Sequence, residues 1–112
     1  MIHREWLEYG AVFMVRHEFE RAGEGLPMHQ HCESERHNLV VLQGAVTVRG
    51  EGETWYYSAG EIAELPERHE IVAREDRTVT LSLYRNGKPE EYAQMPNEAS
   101  VSFENPLMRW SE

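Results

Sequence analysis

His29 and His31 form a His-x-His pair, His37 follows on the next strand-like run, and His69 arrives a strand pair later. In an extended strand, side chains two residues apart share a face and rise together by roughly 6.6 Å. Two imidazoles so placed can converge on one ion, because metal–nitrogen bonds are about 2.0–2.1 Å long. His37 opens the run His37-Asn-Leu-Val-Val-Leu-Gln, and His69 opens His69-Glu-Ile-Val-Ala. Four imidazoles on β elements read as the site of one divalent transition metal, with His29, His31, His37 and His69 as ligands. Neutral imidazole suits Zn, Cu, Ni or Fe better than hard, oxygen-seeking ions. The identity of the metal, Mn included, stays open at this stage. Four ligands leave one or two positions of a five- or six-coordinate ion for a small molecule, the metal serving as Lewis acid and template.

Such a site needs strands to carry it, and a period of two dominates the chain while helical periodicity is nearly absent. Ala11 to Phe19 is rich in β-formers, and Leu39 to Leu42 is an apolar run punctuated by Gly44. Val46-Thr-Val-Arg, the turn Gly50-Glu-Gly52 and Thr54-Trp-Tyr-Tyr57 read as a hairpin. Glu61 to Leu65 alternates and stops at Pro66, and Ile71 and Val72 continue past His69. Thr78 to Tyr84 alternates cleanly, with Val79, Leu81 and Leu83 on one face and Thr78, Thr80 and Ser82 on the other. About eight short strands at close spacing predict an all-β fold, a closed sandwich or barrel, with helix limited to a turn or two. Residues 88–112 lose the pattern, yet Tyr92, Phe103, Leu107, Met108 and Trp110 are too apolar for a disordered tail. This irregular segment is expected to pack on the barrel or on a partner subunit.

At 112 residues the chain is expected to form one domain. Its formal charge of −9, with 20 acidic against 11 basic residues and no basic block, argues against nucleic acid as a partner. No apolar run approaches the roughly 20 residues that span a membrane, and Met1-Ile-His-Arg-Glu-Trp-Leu-Glu lacks the apolar core of a secretory signal. The lone Cys32 forms no internal disulfide, which fits a cytoplasmic protein. It lies between His31 and His37 and is a weaker candidate ligand, a lone Cys being more often a small inert residue.

The stretch from Gly23 to Gly44 resembles the first motif of the cupin superfamily. It reads Gly23, five residues, His29-x-His31, five residues, His37, six residues, Gly44. The second motif resembles Gly60, five residues, Pro66, then His69. The resemblance covers about residues 11–85 and implies a double-stranded β-helix, a jelly-roll barrel, holding one metal in its mouth. Two departures stand out. His37 occupies the position that is usually Glu, after a loop one residue longer than is common. Only Glu67 and Arg68 separate Pro66 from His69, and the Asn that often ends the motif is absent. An all-histidine shell follows if registration against Gly44 is kept. Glu33 or Glu35 instead would restore a mixed His–carboxylate shell of the non-haem iron type. His3 and His17 fall outside both motifs and are expected to be exposed or structural.

By resemblance to small single-domain cupins, the expected function is a metalloenzyme acting on a small organic molecule, as a dioxygenase, isomerase or lyase. The alternatives are a ligand-binding module without turnover, or an accessory protein with a structural metal. No catalytic residue is assignable; Arg16, Tyr57 and Glu64 are candidates only through their places on strands. Val40, Leu42, Trp55 and Trp110 exceed what one thin core buries. That predicts a homodimer with the N-terminal strand or residues 88–112 at the interface.

Overall fold

The computed structural model of the chain describes residues 1–30, 37–85, 87–89 and 92. Nine strands follow in order: β1 (Ile2–Tyr9), β2 (Val12–Phe19), β3 (Gly25–Gln30), β4 (His37–Gln43), β5 (Ala45–Arg49), β6 (Thr54–Ser58), β7 (Ile62–Glu64), β8 (Arg68–Ala73) and β9 (Thr78–Tyr84). They form a five-stranded sheet of order β1-β2-β9-β4-β7 and a four-stranded sheet of order β3-β8-β5-β6. Every pairing is antiparallel. The described residues contain no α-helix, only a tight turn at Tyr92 whose N–H donates to the Pro89 carbonyl at 3.0 Å. None of them forms a helix long and apolar enough to cross a membrane.

The strand system begins earlier than the expected start near residue 11. β1 pairs with β2 along its whole length, from Ile2 opposite Phe19 to Tyr9 opposite Val12. Its apolar alternation is diluted by His3-Arg4-Glu5, so the sequence signal is weak. The two-residue loop Gly10-Ala11 closes the hairpin, with Gly10 in the left-handed region such loops require. Gly44, between β4 and β5, is constrained twice: its φ is +79°, and a Cβ there would overlap Thr78.

The core divides in two. Phe19, Leu39, Val41, Val46, Val48, Leu65 and Ile71 form the larger cluster, all within 2 % of full burial. Trp55 and Tyr57 pack against it and stay partly exposed. The smaller cluster is aromatic: Trp6, Phe13, Tyr84 and Tyr92 around Val15. Tyr92 thus packs on the barrel as expected, while Trp110 lies outside the described residues. On β9 the hydroxyl face, Thr78, Thr80 and Ser82, turns inward, and Leu81 and Leu83 lie half-buried outside. β9 sits between β2 and β4, whose inward Phe13, Val15, Phe19, Leu39 and Val41 already fill the space over it. Small side chains fit beneath such neighbours where leucines would overpack.

Candidate metal centre

His29 and His69 come from neighbouring strands and lie directly opposite each other in the β3–β8 register. Directly opposed residues share a face with Cβ atoms about 4.5–5.5 Å apart. Their ring centroids are 4.4 Å apart in an edge-to-face arrangement. The register shifts between Leu26 and His29, at Pro27 and Met28. A proline has no N–H for the ladder, and a bulge of this kind re-aims the side chain that follows it. His37, the first residue of β4, reaches the same place from the other sheet, with its ring centroid 5.4 Å from that of His69. Two rings sharing one ion at about 2.1 Å each have centroids on the order of 5 Å apart.

Hydrogen bonds fix how two of these rings present themselves. His29 Nδ1 lies 2.7 Å from the Pro27 carbonyl oxygen, and His69 Nδ1 lies 2.7 Å from that of Pro66. A carbonyl only accepts, so each Nδ1 carries the proton and donates it. Nε2 is then the lone-pair nitrogen of both rings. Metal-binding imidazoles are oriented in this way, the second nitrogen donating to a carbonyl or carboxylate. Burial is graded: His69 and His37 are 1 % and 4 % exposed, while His29 is half-buried and forms the rim. Behind His37 the Tyr84 ring packs at 4.2 Å between centroids, which pins the imidazole against the aromatic cluster.

His29, His37 and His69 are therefore brought together as the sequence suggested. Among the described residues, no three His, Cys, Asp or Glu side chains have by themselves the geometry of a metal cage. His31, Cys32, Glu33 and Glu35, the other ligand candidates, lie outside the described residues. Of the residues singled out for acid–base roles, none joins the imidazoles. Arg16 points outward and pairs with Glu5 at 3.5 Å and Glu18 at 3.8 Å. Glu64 is exposed, and Tyr57 supports the larger core cluster. A surface cavity of about 550 Å³ is lined by His3, Glu18, Glu20, Arg21, Asp76 and Arg77 and contains none of the three. There His3 bonds Glu20 at 2.7 Å, and Glu20 and Glu24 hold the N-terminal amine.

Arg4 drew no notice in the sequence, and His17, expected to be exposed or structural, is buried. His17 is 1 % exposed on the inward face of β2, and Arg4 lies opposite it on β1. Arg4 Nε donates to His17 Nε2 at 3.0 Å. Burial above all, then the Arg4 charge and then His29, push the His17 pKa down to about 3. His17 is thus neutral, accepts at Nε2 and carries its proton on Nδ1. That Nδ1 and the Thr80 hydroxyl, on opposed residues of β2 and β9, are buried with no hydrogen-bond partner. The signal that could have placed His17 is its phase with Phe13, Val15 and Phe19.

Solved structures share this architecture. KdgF from Halomonas sp. is 28 % identical, with a TM-score of 0.69 over 78 % of this chain and 82 % of that one. An RmlC-like cupin protein from Desulfovibrio desulfuricans is 25 % identical, with a TM-score of 0.61 over 75 % and 82 %. An RmlC-like cupin with a double-stranded β-helix from Methanocaldococcus jannaschii shares the fold at 18 % identity, with a TM-score of 0.62 over 77 % and 81 %. No family model and no curated protein matches the sequence. The chain is thus similar to proteins of the cupin superfamily, as its two motifs imply, and shares their double-stranded β-helix fold.

Proposed function

We propose that the chain is a metal-dependent enzyme acting on a small organic molecule, with His29, His31, His37 and His69 holding one divalent transition metal. One observation carries the reading: two opposed imidazoles give their Nδ1 protons to proline carbonyls, so their lone pairs sit at Nε2 beside a third imidazole. The donor set is all nitrogen and neutral, which suits a borderline ion such as Zn, Fe, Ni or Cu. When bound, the ion supplies a Lewis acid and a template for substrate oxygen atoms.

The chain's own residues supply the rest. His69 and His37 are withdrawn from water while His29 stands at the rim, so a molecule approaching from the rim meets one partly solvated and two dry imidazoles. The Tyr84 and Tyr92 rings give an apolar wall on the His37 side. We place the protein in the cytoplasm, as its lone Cys32 suits a reducing compartment. A homodimer is proposed as well. β1 is an edge strand, and the outer face of its sheet carries half-buried Leu7, Met14, Val40, Leu81 and Leu83 with exposed Ile62. The test of function is metal content of the purified protein and its histidine variants, followed by oxygen uptake and product analysis on the loaded protein.

A further inference from the structure

We infer that the cavity beside the β5–β6 hairpin is a second binding site, for a neutral polyhydroxylated ring such as a pyranose sugar. It has a volume of about 290 Å³ and is lined by Glu51, Glu53, Trp55, Pro66 and Arg68. Ligand pockets run from about 300 to about 1,000 Å³, so this one has the size for a single ring rather than a chain. None of the clustered imidazoles lines it. Pro66 stands between the two places: its carbonyl accepts the His69 proton, and the residue also lines the cavity.

The floor of the cavity is apolar and held in place. Trp55 lies opposite Val48 on β6, the outermost strand of its sheet, and is half-buried against the larger core cluster. A Cβ on Gly50 would come within 3.1 Å of both Trp55 Cζ3 and Pro66 Cγ. The missing side chain thus lets the indole and the proline ring close together over the hairpin backbone. Polar groups stand around this floor. The Gly50 N–H donates to the Glu53 carbonyl at 2.9 Å, which tightens the turn that carries Glu51 and Glu53. Arg68, the first residue of β8, stands 4.0 Å from Glu51, and both side chains are exposed. An exposed ion pair of this kind adds little stability, so a ligand parts it at small cost.

These groups match one kind of molecule. A pyranose has a face of C–H bonds that lies on an indole and a rim of hydroxyls that each donate and accept. Carboxylates only accept and a guanidinium only donates, so Glu51, Glu53 and Arg68 together serve both roles of a hydroxyl. Two carboxylates against one guanidinium, in a chain of charge −9, disfavour a sugar acid or a phosphate. The guanidinium in turn disfavours a cation over the indole.

The test titrates the full-length protein with the methyl glycosides of glucose, galactose and mannose, read by calorimetry and tryptophan fluorescence. Choline and gluconate serve as charged probes. At least one glycoside is expected to bind in the millimolar range and to change the fluorescence, and each charged probe to bind more weakly. Arg68→Ala and Glu53→Ala, both at exposed positions, are expected to weaken glycoside binding about three- to tenfold each, as loss of a hydrogen bond does. In Trp55→Phe the calorimetric affinity is expected to fall and the fluorescence change to vanish. The two surface variants serve if Trp55→Phe does not fold. Chelating any bound metal is expected to leave glycoside binding unchanged. Failure to bind any of the three glycosides overturns the assignment, as does tighter binding of choline or gluconate. Equal affinity in wild type and all three variants also overturns it. So does loss of binding on chelation, which would put the ligand at the metal centre.

Discussion

His29 and His69 face one another across the β3–β8 ladder, and each donates its Nδ1 proton to the carbonyl of a preceding proline at 2.7 Å. Pro27 stands two residues before its histidine and Pro66 three. In both cases a residue that breaks the strand pattern also supplies the acceptor that orients the ring. The shortened spacing of the second motif, with only two residues between Pro66 and His69, brings that carbonyl within reach.

This arrangement has a direct spectroscopic consequence. In the metal-free protein above pH 7, nitrogen-15 correlation spectra should show His29 and His69 as the Nδ1–H tautomer. The opposite tautomer at His69 would remove the observation on which the metal reading rests.

Acid sensitivity should be traceable to His17. Its folded pKa of about 3 lies below the ordinary 6.5, so above pH 6.5 both folded and unfolded forms are neutral there. As pH falls from 6.5 toward 3, the unfolded chain takes up a proton that the folded one refuses, and stability is lost. The limiting slope is about 1.4 kcal/mol per pH unit. Glu20 and Glu24, held below their usual range by His3 and the N-terminal amine, add the same sign of effect only below about pH 4.5. Urea midpoints of metal-free wild type and His17→Gln between pH 6.5 and 4.5 should therefore differ in slope, the variant being flatter. Parallel curves would contradict the burial of a neutral His17.

The inward hydroxyls offer a test of packing. Thr80 Oγ1 is buried with no hydrogen-bond partner, so Thr80→Val removes an unsatisfied group at nearly constant shape. It should leave stability unchanged or raise it by about 1 kcal/mol. Leu39→Ala, at a fully buried site in the larger cluster, should cost about 2–5 kcal/mol. Urea unfolding measures both. A Thr80→Val loss as large as that of Leu39→Ala would mean the hydroxyl is engaged.

Much of this was legible in the sequence because strand periodicity and ligand spacing are local signals. The turn at Gly44, the hairpin of β5 and β6 and the start of β4 at His37 follow from residues within a few positions of each other. What escaped depends on neighbours distant in the chain. The clean alternation of β9 shows two faces, but only the bulk of Phe13, Val15, Leu39 and Val41 on flanking strands decides that the hydroxyl face goes inward. Arg16 and Glu64 looked usable because they lie on barrel strands; phase, not membership, sets which way they point. β1 was hidden because its inward residues include Arg4, a half-buried charged side chain whose place on that face makes sense only once His17 is opposite it.

Assembly is expected to follow the outer face of the five-stranded sheet. Sedimentation at micromolar concentration should give a dimer for the wild type. Leu83→Glu, on the outer face of β9, should shift it toward monomer without unfolding it. A wild-type monomer at high micromolar concentration would contradict the proposed interface.

The most direct measurement is metal content by mass spectrometry across a set of variants of the purified, full-length protein. Wild type and His3→Ala should each carry one equivalent of a divalent transition metal, whereas His29→Ala, His37→Ala and His69→Ala should lose most of it. Retention in wild type should also weaken as pH falls through about 6.5, since imidazole binds metal in its neutral form. A His37→Ala variant that keeps its metal while Glu35→Ala loses it would replace the all-histidine shell with a mixed one. Unchanged metal content in His37→Ala, His69→Ala and Glu35→Ala alike would contradict the account, leaving a cupin barrel whose clustered imidazoles hold no ion.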